Sequence, residues 1–145
     1  MTVATKQEKT FLVKVLQQSL KWSESQLRSF TEDSLNEIYE YLLDGYVIAK
    51  AKTNNSHMYN IYITIPKVIR DYMGINKSEW VDILVNLHKK EIVLDRNKEN
   101  RIKIKNKGIY LPYKLAEKNL LKANDDTAVI AKGDKIILKS FTYFQ

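Results

Sequence analysis

The 145-residue chain has no cysteine. That excludes disulfides, thiolate metal sites and a cysteine nucleophile, and it fits a reducing cytosol. Histidine is nearly as scarce. His57 and His88 are the only two, and neither has metal-ligand neighbours at helical spacing, so no metal site and no cofactor are expected. The four glycines form no phosphate-cradling loop, and no nucleophile motif is found. Asp33, Asp125 and Asp126 read as capping or turn residues. The chain therefore does not read as an enzyme. No apolar run approaches the ~18 residues needed to span a bilayer. Met1 to Thr10 is polar and lacks a secretory apolar segment. A cytoplasmic protein without membrane contact is the expectation. Arginine is sparse too, with only Arg28, Arg70, Arg96 and Arg101.

Hydrophobic residues make up 44% of the chain, enough for a packed core and too many for a disordered one. The net charge of +7 is unevenly spread. Residues 1–46 carry five basic and seven acidic side chains, whereas residues 47–145 carry 19 and 10. A mildly acidic head thus precedes a strongly basic body. A basic body suits a polyanionic partner, because neutralised phosphates release counterions.

The head reads as two or three helices. Phe11, Leu12, Val15, Leu16 and Leu20 keep helical spacing between Lys6 and Lys21. Ser23, with Gln26 three residues on, can cap a second helix. Thr31 can cap a third, with Leu35, Ile38, Tyr39 and Leu42 on one face and Gly45 as its stop. From about Tyr46 the pattern turns to strands. Val47 to Ala49 reads as a short one, and polar Lys50 to Ser56, with Asn54-Asn55, as a linker or turn. Ile61, Ile63 and Ile65 alternate with polar or aromatic neighbours. Pro66 suits the first position of a short helix over 67–73, and Gly74 ends it. Val81, Ile83, Val85 and Leu87 alternate, Lys89-Lys90 turns the chain, and Ile92 to Leu94 return. Trp80 reads as a packing residue, and the nine tyrosines as half-buried ones rather than base-stacking ones.

The same order then recurs. Ile102 and Ile104 alternate with basic residues, and Ile109 and Leu111 lead into Pro112. A short helix is expected over 113–120, then a hairpin of Val129-Ile130, Gly133-Asp134 and Ile136 to Leu138. With Pro66 set on Pro112, Ile63 matches Ile109, Ile65 matches Leu111, Ile69 matches Leu115, Ile75 matches Leu121 and Ile83 matches Val129. The second hairpin is two residues shorter, so Val93 matches Ile137. Each copy has too few strands to close a core of its own, and two copies, within one chain or between chains, can pair and bury a common one.

The stretch Ile65-Pro66-Lys67-Val68-Ile69-Arg70-Asp71-Tyr72-Met73-Gly74-Ile75, followed by Val81-Asp82-Ile83 and Glu91-Ile92-Val93-Leu94, resembles the hinge segment and hairpin of the AbrB/SpoVT looped-hinge family. The second copy, Gly108 to Leu138, keeps Leu111-Pro112 but has Asn119-Leu120-Leu121 where the family has Leu-Gly-Ile. The resemblance covers about 80 residues and not the head. It implies an α+β fold in which two AbrB-like β-α-β units, about 58–95 and 101–139 within a domain 47–145, form a swapped-hairpin β-barrel. It also implies DNA binding by basic residues on the first strand, beside the Ile-Pro turn and in the short helix. Arg70 matches a family arginine position. Ala116 is its counterpart in copy two, and Asp71 and Glu117 stand where the family is often basic.

Residues 58–95 carry equal numbers of basic and acidic side chains, whereas residues 101–139 carry 10 and 4. The alternation Arg101, Lys103, Lys105, Lys107 puts cations on one strand face, the leading candidate for tracking phosphates. Lys67, Arg70, Lys114 and Lys118 complete the expected DNA-binding set. An edge strand guarded by lysines against aggregation is the alternative meaning of the same pattern. Scarce arginine gives few bidentate guanine contacts, and lysine favours backbone and shape readout. The expected function is a double-stranded DNA-binding transcription regulator, a nucleoid-associated homo-oligomer (dimer) of phage or viral type. Residues 1–46 would serve oligomerisation or a protein partner. The alternative function is a protein-interaction module, antitoxin-like or capturing a host factor through the head.

Overall fold

The computed structural model describes residues 8–55, 60–75, 78–96, 102–105, 107–112, 114–117 and 120–145, with backbone alone at positions 55, 116 and 117. The chain divides into two compact units, Met1–Tyr46 with Phe144–Gln145, and Val47–Tyr143.

The first unit holds α1 (Lys9–Leu20), α2 (Glu24–Arg28) and α3 (Glu32–Leu43). Their ends are set by local chemistry. The Ser23 hydroxyl accepts from the Gln26 N–H at 3.2 Å, and the Thr31 hydroxyl accepts from the Ser34 N–H at 3.1 Å. Gly45 takes the left-handed conformation after α3, with φ +86°. Leu12, Leu16, Leu27, Leu35 and Ile38 are fully buried. Phe144 and Gln145 group with these helices rather than with the strands before them. The Phe144 ring lies 5.1 Å from that of Phe30, and the Phe144 carbonyl accepts from the Thr31 N–H at 2.8 Å. No described helix is long and apolar enough to cross a membrane.

The second unit runs β1 (Val47–Asn55), β2 (Asn60–Thr64), α4 (Lys67–Met73), β3 (Glu79–Asn86), β4 (Glu91–Asp95), β5 (Ile102–Lys105), β6 (Gly108–Pro112), α5 (Lys114–Glu117), β7 (Asp126–Lys132) and β8 (Lys135–Ser140). These eight strands close an antiparallel barrel in the order β1-β2-β6-β5-β3-β4-β8-β7. The alternating apolar residues fill it. Ile61, Ile63, Ile65, Ile92, Leu94, Ile104, Ile109, Leu111, Val129 and Leu138 belong to one core cluster.

The topology has an internal two-fold. The unit β1-β2-α4-β3-β4 corresponds to β5-β6-α5-β7-β8. Ile63 and Ile109, matched in the sequence repeat, are direct cross-strand partners, and so are Val93 and Ile137. The pseudo-dyad passes through both pairs. Four seams of the barrel lie within a copy, and four (β1–β7, β2–β6, β3–β5 and β4–β8) join one copy to the other. The two copies therefore pair within one chain, each hairpin seated between strands of the other copy.

Three boundaries differ from the sequence expectation. The stretch from Lys50 is not a linker, because β1 continues through Asn55; Ser56 lies outside the described residues. Ala49 and Ala51 pack on the core and Thr53 is buried, while Lys50, Lys52 and Asn54 are exposed. Small inward residues between polar outward ones conceal a strand in a sequence. The Thr53 hydroxyl donates to the Lys122 carbonyl, and its backbone N–H reaches the Asp125 carbonyl at 2.9 Å, which fixes the loop before β7. Pro66 caps α4 rather than opening it, with extended ψ 146°. The helix expected over 113–120 is described only as the single turn α5, and Asn119 lies outside the described residues. In copy one Gly74 accepts the left-handed cap with φ +69°, and the Ile75 N–H bonds the Arg70 carbonyl at 2.8 Å. Copy two has Leu120 at that position, and a side chain there disfavours the same cap.

Candidate nucleic-acid interface

β5 is central, paired with β3 on one side and β6 on the other. It has no free edge, so its lysines are not edge guards. Ile104 points inward and is buried, and Ile102 packs on the core. Lys103 and Lys105 therefore project outward. Lys107 is exposed in the turn after β5 rather than on the strand itself, and Arg101 lies outside the described residues.

The neighbouring strands bring aromatic rings to these lysines. Trp80, on β3, is the cross-strand partner of Lys103, whose Nζ lies 5.7 Å from the indole centroid. Lys105 Nζ lies 5.8 Å from the ring centroid of Tyr110, on β6. Tyr110 in turn faces Tyr62 on β2, with ring centroids 4.7 Å apart. Asn54 on β1 is the partner of Tyr62. Continued one step beyond the Ile104–Ile109 pair, the β5–β6 register sets Lys103 beside Tyr110, so one row crosses five strands: Asn54, Tyr62, Tyr110, Lys103, Trp80. Adjacent strands lie about 4.8 Å apart, so Trp80 stands roughly 10 Å across the sheet from Tyr110 with Lys103 between them. Trp80 is 50% exposed and Tyr110 41%. Tryptophan is usually among the well-buried residues, so a half-exposed indole beside cations is informative. Such cation–ring contacts contribute only about 0.5–1 kcal/mol each at exposed sites. Their main effect is to hold ring and ammonium side by side.

Gly108 makes the row possible. A Cβ there would meet the Tyr62 hydroxyl and ring, and would lie 2.7 Å from the Ile63 carbonyl oxygen. The Tyr62 side chain occupies the space a residue at 108 would need. Gly108→Ala is expected to lower stability by about 1–3 kcal/mol through overpacking. Urea unfolding checks this, and the Tyr62→Ala background should recover only part of the loss, because the backbone clash remains. Full recovery there would refute the backbone contribution.

Among the described residues, Lys67, Arg70 and Lys114 have other surroundings. Lys67 is exposed and pairs with Asp71 one turn along α4, Nζ to Oδ2 2.8 Å. Arg70 is committed to the fold, its Nε donating to the Ile65 carbonyl at 2.9 Å beside the Pro66 corner. Their helix packs against β1 and β7. Lys114 lines an apolar groove of about 590 Å³ between α5 and the far part of β3, with Val85, Leu87, Leu115 and Leu120. Val85 lies five residues beyond Trp80, roughly 17 Å along the strand. Lys118 lies outside the described residues, as does His57. Arg96 is held at the barrel by Glu79, at 2.8 Å and 2.7 Å from its two carboxylate oxygens. That hydrogen bonding raises the guanidinium pKa, opposed by desolvation. Among the described residues no group of three or more histidine, aspartate or glutamate side chains is placed to hold a metal.

Tyr62, Trp80 and Tyr110 do not stand out as a site in the sequence, where Trp80 reads as a packing residue and the tyrosines as half-buried ones. Their signal is phase. Each stands between inward residues of an alternating strand, as Tyr62 does between Ile61 and Ile63. Comparison with family models, curated proteins and solved structures gives no match to this chain.

Proposed function

We propose that this protein binds double-stranded DNA and regulates transcription, its second unit acting as an AbrB-like swapped-hairpin barrel. The interleaved order of strands, with each copy's hairpin seated between strands of the other, is what that resemblance implies. The observation that carries the binding reading is the outward pair Lys103 and Lys105 on a strand with no edge to protect. Lys107, exposed in the turn that follows β5, adds to the positive field. Lysines in this arrangement contact phosphates and favour backbone over base-edge readout.

Fluorescence anisotropy of a labelled duplex over a range of salt concentrations tests this. Affinity should fall steeply as salt rises. The variant Lys103→Glu/Lys105→Glu should bind about tenfold more weakly or worse, and its log–log salt slope should be shallower by about one per lysine lost. Its thermal transition should be preserved. No duplex binding at low salt would reject the proposal.

A further inference from the structure

We infer that the row Tyr62, Tyr110, Lys103, Trp80 is a stacking platform for unpaired bases, so that this face takes single-stranded nucleic acid as a ligand in its own right. The inference rests on the reading of the face as a nucleic-acid surface and goes beyond the duplex. Three observations support it.

The first is the composition of the face. Surfaces that hold single strands interleave aromatic rings with cations, because every base has a π-face and every linkage a phosphate. Here Trp80 and Tyr110 are exposed, and Lys103 and Lys105 each sit over a ring. The second is the shape of the support. The rings stand on the outside of a twisted antiparallel sheet, fixed by cross-strand register rather than carried on a loop. A duplex keeps its bases stacked on one another, so flat exposed rings offer it little; splayed bases can use them.

The third is broken symmetry. The pseudo-dyad through Ile63 and Ile109 relates Tyr110 to Thr64, Tyr62 to Gly108, Lys103 to Lys52 and Trp80 to Asp126. The lysine is kept, and all three aromatic residues are lost. A surface matched to a palindromic duplex would repeat its contacts about the dyad. This one is polar and small on one side and aromatic on the other, which suits a single strand with a direction.

The test uses the full chain and three labelled probes: a thymidine homopolymer of about 12 nucleotides, a uridine homopolymer of the same length and a duplex. Binding of a homopolymer should quench Trp80 emission, while Trp22, buried at 4% exposure, should not respond. Trp80→Ala and Tyr110→Ala should each weaken single-strand binding about tenfold, and duplex binding by less than about twofold. Trp80→Phe should abolish the quenching yet retain more affinity than Trp80→Ala, which separates stacking from a change in folding. A stronger hold on thymidine or on uridine would assign the sugar, and either supports the platform. Single-strand binding without quenching, and indifferent to both alanine variants, would overturn it. Duplex binding with no single-strand binding would overturn it while leaving the proposed function intact. Quenching by a homopolymer with no duplex binding would do the reverse.

Discussion

Fragments 1–96 and 101–145 are expected to form no barrel alone and to form it when mixed. The reason is where the seams fall. Half of the barrel's strand pairings join one copy to the other. Cutting the chain between the copies leaves β1, β2, β3 and β4 each with an unpaired side and the inner apolar face exposed. A small set of strands in that state does not sustain a fold of its own. The remaining route for a single fragment is to pair with itself, and charge disfavours it. In the intact barrel Asp95 on β4 faces Lys135 on β8. The same register with two copies of β4 would place Asp95 opposite Glu91, and with two copies of β8 would place Lys135 opposite Lys139. Each like-charge cross-strand pair costs roughly 0.2–1 kcal/mol, and each self-paired seam would contain two. The copies are complementary to each other rather than to themselves. Sedimentation should show a 1:1 complex on mixing, with a cooperative urea transition absent from either fragment. A fragment 1–96 that dimerises and unfolds cooperatively on its own would contradict the prediction.

Ile109→Ala should destabilise the barrel by about 2–5 kcal/mol, toward the upper part of that range. Ile109 is fully buried at the pseudo-dyad, opposite Ile63 on β2 and Ile104 on β5. Strands paired on both sides hold the surrounding backbone apart, so the cavity has little freedom to collapse. Ile109→Val should cost only about 0.5–1.5 kcal/mol. Ile63→Ala should resemble Ile109→Ala, and the double variant should cost less than the sum, because the two side chains share one space. Urea midpoints at unchanged slope would measure each loss. A loss below about 1 kcal/mol for Ile109→Ala would mean that the centre of the barrel repacks freely.

Much of this fold was legible in the apolar skeleton. Alternation placed β2, β3, β5 and β6, and the two prolines placed the turns into α4 and α5. The repeat went further, since the matched pairs Ile63/Ile109 and Val93/Ile137 turned out to be cross-strand neighbours. What alternation could not show was β1 beyond Ala49, where alanine and threonine replace the large inward residues. Nor could it show the site as a whole. Lys103 and Lys105 were readable from a single strand, but their company was not. Trp80 lies 23 residues before Lys103 in sequence and directly beside it in the sheet. Tyr62 and Tyr110 are 48 residues apart and in ring contact. Phase along one strand tells which way a residue points, while register between strands decides what it meets, and register needs the closed barrel.

Because β1 pairs with β7, the barrel cannot finish closing until nearly all of the second copy has been made. Between Asn55 and Asp126 a ribosome adding about 5–20 residues per second needs several seconds. Until β6 follows, Ile61 and Ile63 have no partner strand from copy two, and until β7 follows the open side of β1 stays unpaired, so copy one is a sticky, half-paired ribbon. Closure then requires contacts between residues some eighty positions apart, such as Val47 with Ala131, and distant pairings of this kind fold slowly. The arrangement that lets one chain act as its own dimer therefore makes birth, rather than mature life, the period when this protein is most exposed to aggregation.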